Sequence, residues 1–383
     1  MNRDTIFYID PQSMLNLARY DYHLLSGVRM SVHYFCSKYY DFHPIPNVIP
    51  HKVFKYNHKR YSWQKALSYT VSWMIILWLV LRLRPKVVHI QWFRIPRFDY
   101  VIVRIMQQIL GVKVLFTAHN VLPHQGNEQK QTDVFRCAYH AFNSIIVHSE
   151  KTKNEIVKCF NVPSHKVEVI RHGILPIDVD IHRYEALCMD YDCRYAHLKE
   201  KIVFAALGYQ NYYKGTDLLM QVWAGTAELR NNPNIALIII GKVNDSRINL
   251  SILDGVSNAI CQNRRISDEE YLYLLRHTDV YLLPYREISQ SGAMLTVLSE
   301  HVPMLLSDVG SLAEPLDVAP IGWKIKSDDS DELRDALLHL THNPDEIRRI
   351  KEDKVSWEHL RQFYDWHEIS RQTESIYKKL CSF

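Results

Sequence analysis

Short apolar runs alternate with longer amphipathic stretches along this chain, and that alternation narrows its fold more than any other feature. In the first half the runs at Ile6–Ile9, 32–36, 87–91, 114–117, 144–148 and 167–170 are β-branched or aromatic, with helical stretches at 62–84, 99–110, 130–141 and 151–159 between them. The second half repeats the pattern: strands at Ile202–Leu207, Ile235–Ile240, 258–262, Val280–Leu283, Met304–Ser307 and 323–325, helices at 267–277, 291–301 and 329–341, and two closing helices at 344–355 and 366–380. Strands alternating with helices build parallel, doubly wound α/β sheets. At 383 residues the chain can hold two such domains. Residues 176–199 carry no clear period and four aspartates (Asp178, Asp180, Asp190 and Asp192), so they are expected to be a linker between a domain over 1–175 and one over 200–363. No G-x-G-x-x-G follows a strand, which argues against a dinucleotide dehydrogenase.

Composition fits a soluble globular protein, with 47% hydrophobic and 23% charged residues. The seven cysteines are scattered, without a C-x-x-C pair, which points to a reducing compartment with neither disulfides nor a zinc site. The polar start (Asn2, Arg3, Asp4) predicts no signal peptide. The net charge of +4 conceals an asymmetry: residues 1–175 hold 23 Lys and Arg against 10 Asp and Glu, and the remainder 23 against 32. A basic half suits an anionic surface. No nucleic-acid motif accompanies it, so an anionic membrane is the better candidate, against the plain alternative of a solvated basic surface. The apolar segment 68–83 is shorter than the roughly 20 residues needed to span a bilayer. It is expected to be a core helix, with an interfacial helix as the minority reading.

Polar residues just past the C-terminal ends of parallel strands line the crevice where ligands bind. Here those residues are His89 to Trp92, His119 and Asn120 with His124 beyond, His148 with Ser149, and Arg171 to Gly173. In the second half Gly208 closes a strand, and Lys214-Gly215 precedes a helix, where a lysine suits a diphosphate as a point charge. The stretch PYREISQSG (284–292) sets a guanidinium, a carboxylate and a Ser-Gly helix start in one loop. Free N–H groups at a helix start favour an anion, so the loop suits a sugar attached to a phosphate. Each of these positions has an ordinary structural alternative, as a loop cap or a solvent-facing charge.

In order along the chain stand PKVVHIQW (85–92), TAHNVLPH (117–124), VHSE (147–150), VIRHG (169–173), YKG (213–215), DVYLLPYR (279–286), SQSG (289–292), VPMLLSDVGSLAE (302–314) and YDWHEISRQTESIY (364–377). With these pieces the chain resembles, over nearly its whole length, a group 1 (family 4) glycosyltransferase of the GT-B fold. The resemblance implies two facing Rossmann-like domains with an interdomain cleft, and a terminal helix (364–383) that returns to the N-terminal domain. It further implies transfer of a sugar, with retained configuration, from a UDP- or GDP-sugar to an acceptor hydroxyl on a glycan or lipid-linked glycan. No metal or other cofactor is implied, nor any nucleic-acid partner. The setting would be the cytoplasm, including the cytoplasmic face of a membrane, in polysaccharide or glycolipid assembly.

By the same resemblance Lys214 and Arg286 meet the diphosphate, and Gly208, Ser291 and Gly292 lie against the nucleotide and its phosphates. Glu287 holds hydroxyls of the donor sugar, His119 contacts that sugar from the other domain, and these two form the catalytic set. His89, Trp92, Asn120, His124 and His148 fall on the acceptor side. Two positions depart from the pattern. Thr296 stands where the family often has the second glutamate of Glu-x7-Glu, the ribose contact, and Glu300 one turn on is the candidate substitute. Tyr209 stands where relatives carry an arginine, and Arg286 would supply that charge. Both departures leave room for a second reading, a catalytically degenerate GT-B protein that binds or regulates. Epimerases and phosphorylases of the same fold form a third.

Overall fold

The computed structural model of the protein describes residues 5–14, 16–55, 62–121 and 128–382. Its chain separates into two compact units, Met1–Gly173 with Tyr364–Phe383, and Ile174–Phe363. The first unit runs β1 (Ile6–Ile9), α1 (Asn16–Gly27), β2 (Val32–Ser37), β3 (Val48–Phe54), α2 (Ser62–Leu83), β4 (Val87–Ile90), α3 (Pro96–Gln108), β5 (Lys113–Ala118), α4 (Glu128–Ala141), β6 (Ser144–Val147), α5 (Glu150–Phe160) and β7 (Val167–Val169). Among the described residues these strands form one seven-stranded parallel sheet in the order β3-β2-β1-β4-β5-β6-β7. Every residue of β1, β4 and β6 is buried, as expected of a parallel sheet covered on both faces. Side chains alternate across it: Phe7 and Ile9 join one core with Phe35, Val88 and Trp73, while Ile6 and Tyr8 join the other with Val32, Tyr34 and Leu24.

Strand β3 was not visible in the sequence because Pro50 sits in its middle. It is the edge strand, where a missing N–H costs no ladder bond, and Pro50 lies opposite Tyr34 of β2.

The second unit runs α6 (Ile181–Arg194), β8 (Ile202–Leu207), α7 (Thr216–Gly225), α8 (Ala227–Arg230), β9 (Ile235–Ile240), β10 (Ala259–Gln262), α9 (Asp268–Arg276), β11 (Val280–Leu283), α10 (Gly292–Ser299), β12 (Met304–Ser307), α11 (Glu314–Val318), β13 (Gly322–Ile325), α12 (Ser330–His342), α13 (Pro344–Glu352) and α14 (Lys354–Phe363). Among the described residues its six strands are parallel in the order β10-β9-β8-β11-β12-β13. Leu219 and Trp223 of α7 and Leu333, Leu337 and Leu340 of α12 bury one face of that sheet. The starts of α9, α10 and α12 are capped by Ser267, Ser291 and Asp329, whose side chains accept N–H groups of the first turn.

Residues 176–199, expected to be a linker without a clear period, hold a regular helix, α6. Asp180 caps α6, and Tyr184 and Tyr191, one helical repeat apart, bury its inner face. Tyr191 packs edge-on against Tyr273 of α9 with ring centres 5.4 Å apart, and the Tyr273 hydroxyl donates to Asp192 at 2.8 Å. The helix hides in the sequence because its apolar stripe is made of tyrosines among acids rather than of aliphatic residues.

The chain ends in α15 (Trp366–Cys381), which belongs to the first unit and lies along α1. Ile369, Ile376 and Tyr377 are buried there with Ala18, Leu24 and Leu25. The Ser370 hydroxyl donates to Leu24 O at 2.8 Å and the Arg29 N–H to Glu374 at 2.7 Å.

Candidate functional site

Strand order reverses once in each sheet, between β1 and β4 in the first unit and between β8 and β11 in the second. Such a reversal parts the loops on either side and opens a crevice at the C-terminal strand ends.

In the second unit that crevice is framed by the turn after β8 and the turn after β11. The Gly208 N–H donates to Ile240 O at 3.0 Å, closing β8. The Gln210 carboxamide donates to Ala206 O and Gly208 O, both at 3.0 Å, and accepts from the Thr216 hydroxyl at 2.7 Å. A single 3-10 turn, Tyr212–Lys214, follows, and Gly215 turns the chain into α7 with φ +69. A Cβ on Gly215 would lie 1.9 Å from Pro284 O, so only glycine lets this turn approach the β11 loop. The Arg286 N–H donates to Tyr213 O at 2.8 Å and ties the two loops together.

Lys214 stands in this seam, half-buried, its Nζ 5.7 Å from the centre of the Tyr285 ring. Among the described residues no carboxylate pairs with it. Burial holds its pKa below the ordinary lysine value, and the neighbouring Tyr213 partly offsets that shift. A partly desolvated cation without an anion is an unfinished electrostatic arrangement.

The β11 loop is braced from the opposite side. The Ser311 hydroxyl donates to Ser289 O and to Gln290 Oε1, and a Cβ on Gly310 (φ +55) would lie 1.7 Å from Ile288 O. Ser291 accepts the Met294 N–H at 3.2 Å and so starts α10. Gly292 is exposed, and a Cβ there would meet no atom within 4 Å. The fold itself therefore does not demand glycine at this helix start. Glu287 is exposed on the same loop, and Tyr209, 48% exposed, flanks the β8 turn.

Two expectations for this unit, those for Arg286 and Glu300, are corrected. Arg286 does not stand free for a diphosphate. Its guanidinium grips Asp217 with two hydrogen bonds at 2.6 and 2.8 Å, Asp328 at 2.7 Å and Tyr212 O at 2.7 Å, and it stacks over the Tyr212 ring. Two carboxylates already neutralise it, so it works as a strut that fixes the Lys214 turn. Glu300 does not replace a ribose-binding glutamate. It follows the last residue of α10, roughly 12 Å from the helix start at 1.5 Å per residue, and it pairs with Arg276 at the end of α9. Thr296 is buried mid-helix, more than a turn below Ser291.

In the first unit the strand ends bring histidines together. His119 after β5, His148 after β6 and His172 after β7 lie in sequence, with ring centres 5.0 Å apart for the first pair and 5.3 Å for the second. Tyr20 of α1 touches all three rings, and Trp366 of α15 touches Tyr20 and His172. Burial keeps every one of them neutral: His148 is pushed down to about 4, His172 to about 3, and His119 well below the usual range, helped by its histidine neighbours.

Neutral rings impose a direction on the hydrogen bonds. His148 Nδ1–H donates to Ile170 O at 2.9 Å, so its Nε2 accepts from His119 Nδ1–H at 3.2 Å. His119 Nε2 then accepts from the Gln91 carboxamide 2.8 Å away, with that amide turned to present its NH2. Both nitrogens of His119 are thus engaged inside the unit, and its ring face stacks on Trp92 at 4.6 Å and 8°. What His119 can offer a ligand is its main chain and the half-exposed Trp92 platform, with half-buried Asn120 beside it.

His89 and His148 are corrected as acceptor contacts. His89 is fully buried, held by the Tyr377 hydroxyl and Thr117 at 2.7 Å each and by Gln91 at 2.9 Å. His148 is 4% exposed. Both support His119 from beneath. His124 lies outside the described residues. Gln91, expected among the strand-end residues, joins this cluster through His119 and His89. Tyr20 and Trp366 complete it from α1 and α15, and no local sequence signal ties either to the histidines.

Two parallel α/β units, each with polar loops at its order reversal, define a two-domain α/β protein of the GT-B class. Residues 22–176 match Glycosyltransferase Family 4 and residues 199–343 match Glycosyl transferases group 1, so the chain belongs to the group 1 glycosyltransferases. It is similar to an uncharacterized glycosyltransferase of Methanocaldococcus jannaschii, 22% identical over 247 residues, and to the phosphatidyl-myo-inositol mannosyltransferase of Mycobacterium leprae, 23% identical over 189 residues. The matches cover 61% and 49% of this chain, and 59% and 49% of those two proteins. Its fold matches the crystal structure of Anabaena HepE in complex with UDP-glucose, with a TM-score of 0.69, 12% identity, and coverage of 99% of this chain and 100% of that one.

Proposed function

We propose that the protein transfers a sugar from a nucleoside diphosphate sugar to an acceptor hydroxyl with retention of configuration. The observation that carries this reading is Lys214: a half-buried cation without a carboxylate partner among the described residues, fixed at the strand-order reversal by Gly215 and Arg286. Such a charge has a purpose if a diphosphate completes it. The N–H groups at the start of α10, beside an open Gly292, supply further donors to the phosphates. Donors fixed before the reaction stabilise charge as it develops on the leaving diphosphate, so the reaction proceeds without a bound metal. The bond from the anomeric carbon to the diphosphate oxygen breaks and one to the acceptor oxygen forms on the same face. The acceptor proton passes to the departing diphosphate. Glu287 binds hydroxyls of the donor sugar, and Trp92, Asn120 and the main chain of His119 form the acceptor side.

The basic first half favours an acceptor carried on a glycolipid or lipid-linked glycan, at the cytoplasmic face of a membrane. The similar mannosyltransferase is named for a phosphatidyl-inositol acceptor, which accords with this choice.

The test is thermal stability with UDP, GDP and their glucose and mannose conjugates, followed by turnover in the presence of chelator. A nucleotide at a hundred times its dissociation constant adds about 2.7 kcal/mol. Lys214→Ala should abolish that shift and lower turnover on the order of a hundredfold. Glu287→Gln should keep the shift with free nucleotide and lose the extra shift from the sugar. No shift with any nucleotide, or full turnover in Lys214→Ala, overturns the reading.

A further inference from the structure

Helix α2 has two apolar faces and the fold uses one of them. Tyr69, Trp73, Ile76 and Val80 are buried in the core beneath the sheet. Trp63, Leu67, Val71, Met74, Ile75, Trp78 and Leu81 follow a helical stripe along the other side, each between 42% and 65% exposed. The helix has the length and hydropathy of a membrane span. It cannot leave the sheet to become one without stripping Trp73 and its neighbours out of the core. A stripe about 27 Å long, at 1.5 Å per residue, therefore faces water. Exposed apolar surface of that extent marks an interaction site.

The surrounding charge says what the partner is. From residue 42 to residue 98 the sequence carries ten Lys and Arg and no Asp or Glu. The next acid, Asp99, is fully buried and accepts from the Tyr69 hydroxyl and from the N–H groups of Arg94 and Ile95. Lys55 is exposed beside the first turns of the helix, Lys52 is exposed on the adjoining strand β3, and Arg82, Arg84 and Lys86 are exposed at the helix end. A groove between β3 and α2, lined by Val53, Lys55, Trp63, Leu67, Val71 and Ile75, opens on the same face.

We propose that this face of α2 is a docking surface that lays the first unit on an anionic lipid bilayer. The apolar stripe sinks into the boundary between headgroups and acyl chains, and cations at both ends of the helix meet the lipid phosphates. Trp63 and Trp78 suit that boundary, where an amphipathic ring lies at headgroup level. A second copy of the chain is the weaker choice, because the exposed Lys52, Lys55, Arg82, Arg84 and Lys86 would meet their own like charges across a twofold interface.

The proposal names the surface that a membrane-borne acceptor requires, and for its purpose rests on that reading. Its test needs neither donor nor acceptor, so each can fail alone. The full chain is sedimented with vesicles of phosphatidylcholine and of phosphatidylcholine mixed with phosphatidylglycerol. The wild type should bind the mixed vesicles, release with salt, and bind the neutral ones far more weakly. Leu67→Gln with Trp78→Gln should weaken binding about a hundredfold, with an unchanged thermal midpoint. Lys55→Gln with Arg82→Gln should weaken it about fivefold for each charge removed. Binding by the wild type that the Leu67/Trp78 pair leaves intact overturns the proposal, as does no binding to mixed vesicles. A dimer in light scattering that the same pair converts to monomer also overturns it, by assigning the face to a second copy.

Discussion

At the scale of single residues, the candidate donor site depends on how closely two backbones approach. Gly215 lets the Lys214 turn rest on Pro284, and both its positive φ and the 1.9 Å that a Cβ would leave to Pro284 O act against any other residue. The offending atom is a backbone carbonyl, which cannot swing aside as a side-chain end can. Gly215→Ala should therefore cost about 3 kcal/mol, from left-handed strain plus overpacking, and should abolish the nucleotide-induced thermal shift. Gly255→Ala is the control: its φ is +79 but a Cβ meets no atom within 4 Å, so it should cost only about 1–2 kcal/mol and leave the nucleotide shift in place. Equal losses of nucleotide binding in both would show that the contact with Pro284 is immaterial. Lys214, Ser291 and the strand-end histidines were legible because a strand-to-helix turn is written in adjacent residues. The fates of Arg286, His89 and Glu300 were not, because their partners come from afar. Asp217 lies 69 positions from Arg286, and Tyr377 lies 288 from His89.

At the scale of elements, strands with continuous apolar runs were legible and those that carry the exceptions were not. Ile235–Ile240 announces itself, whereas β3 is disguised by Pro50 and α6 by its tyrosines. The amphipathic pattern of α15 predicts a helix but does not state which sheet it covers. That is decided by Trp366, which lies where a Cβ on Gly173 would come within 2.3 Å of its ring, and by Tyr377 on His89. Ending the chain after Phe363 removes Ile369, Ile376 and Tyr377 from the first unit's core. At roughly 1.5–3 kcal/mol each, their loss approaches the whole stability of a domain, about 5–15 kcal/mol. Calorimetry of the truncated chain should show the transition of the second unit and lose that of the first. Two retained transitions would mean that α15 is dispensable to the core it covers. Tyr377→Phe is the mild version, keeping the packing and costing about 1 kcal/mol for the bond to His89.

At the scale of the whole molecule, the two units should respond differently to acid. Among its described residues the first holds six imidazoles whose pKa values burial depresses: His89 and His172 to about 3, His148 to about 4, His119 well below normal, and the partly buried His33 and His51 lowered as well. The unfolded chain protonates them below about pH 6.5 while the folded one does not. Their contribution is complete above that pH and is lost as pH falls, by at most about 2 kcal/mol each at pH 5. Buried carboxyls oppose them. Asp99 is pushed up to about 7 and Asp21, which accepts from the hydroxyls of Tyr8 and Tyr34, to about 6; burial and the Asp21 charge raise Asp10 as well. These three are neutral in the folded state at low pH, so they add stability as pH falls through 6.5 toward 5. Six histidines against three acids leave a net loss of stability over that interval. The second unit has no buried histidine among its described residues. Calorimetry at pH 6.5 and pH 5 should thus show the first unit's midpoint falling by several degrees while the second unit's moves little. Asp99→Asn, a near-isostere of the protonated acid, removes one opposing group and should deepen the fall by about another 2 kcal/mol. A first-unit midpoint that holds or rises at pH 5 would mean that the acids outweigh the histidines and that the cluster is protonated in the fold.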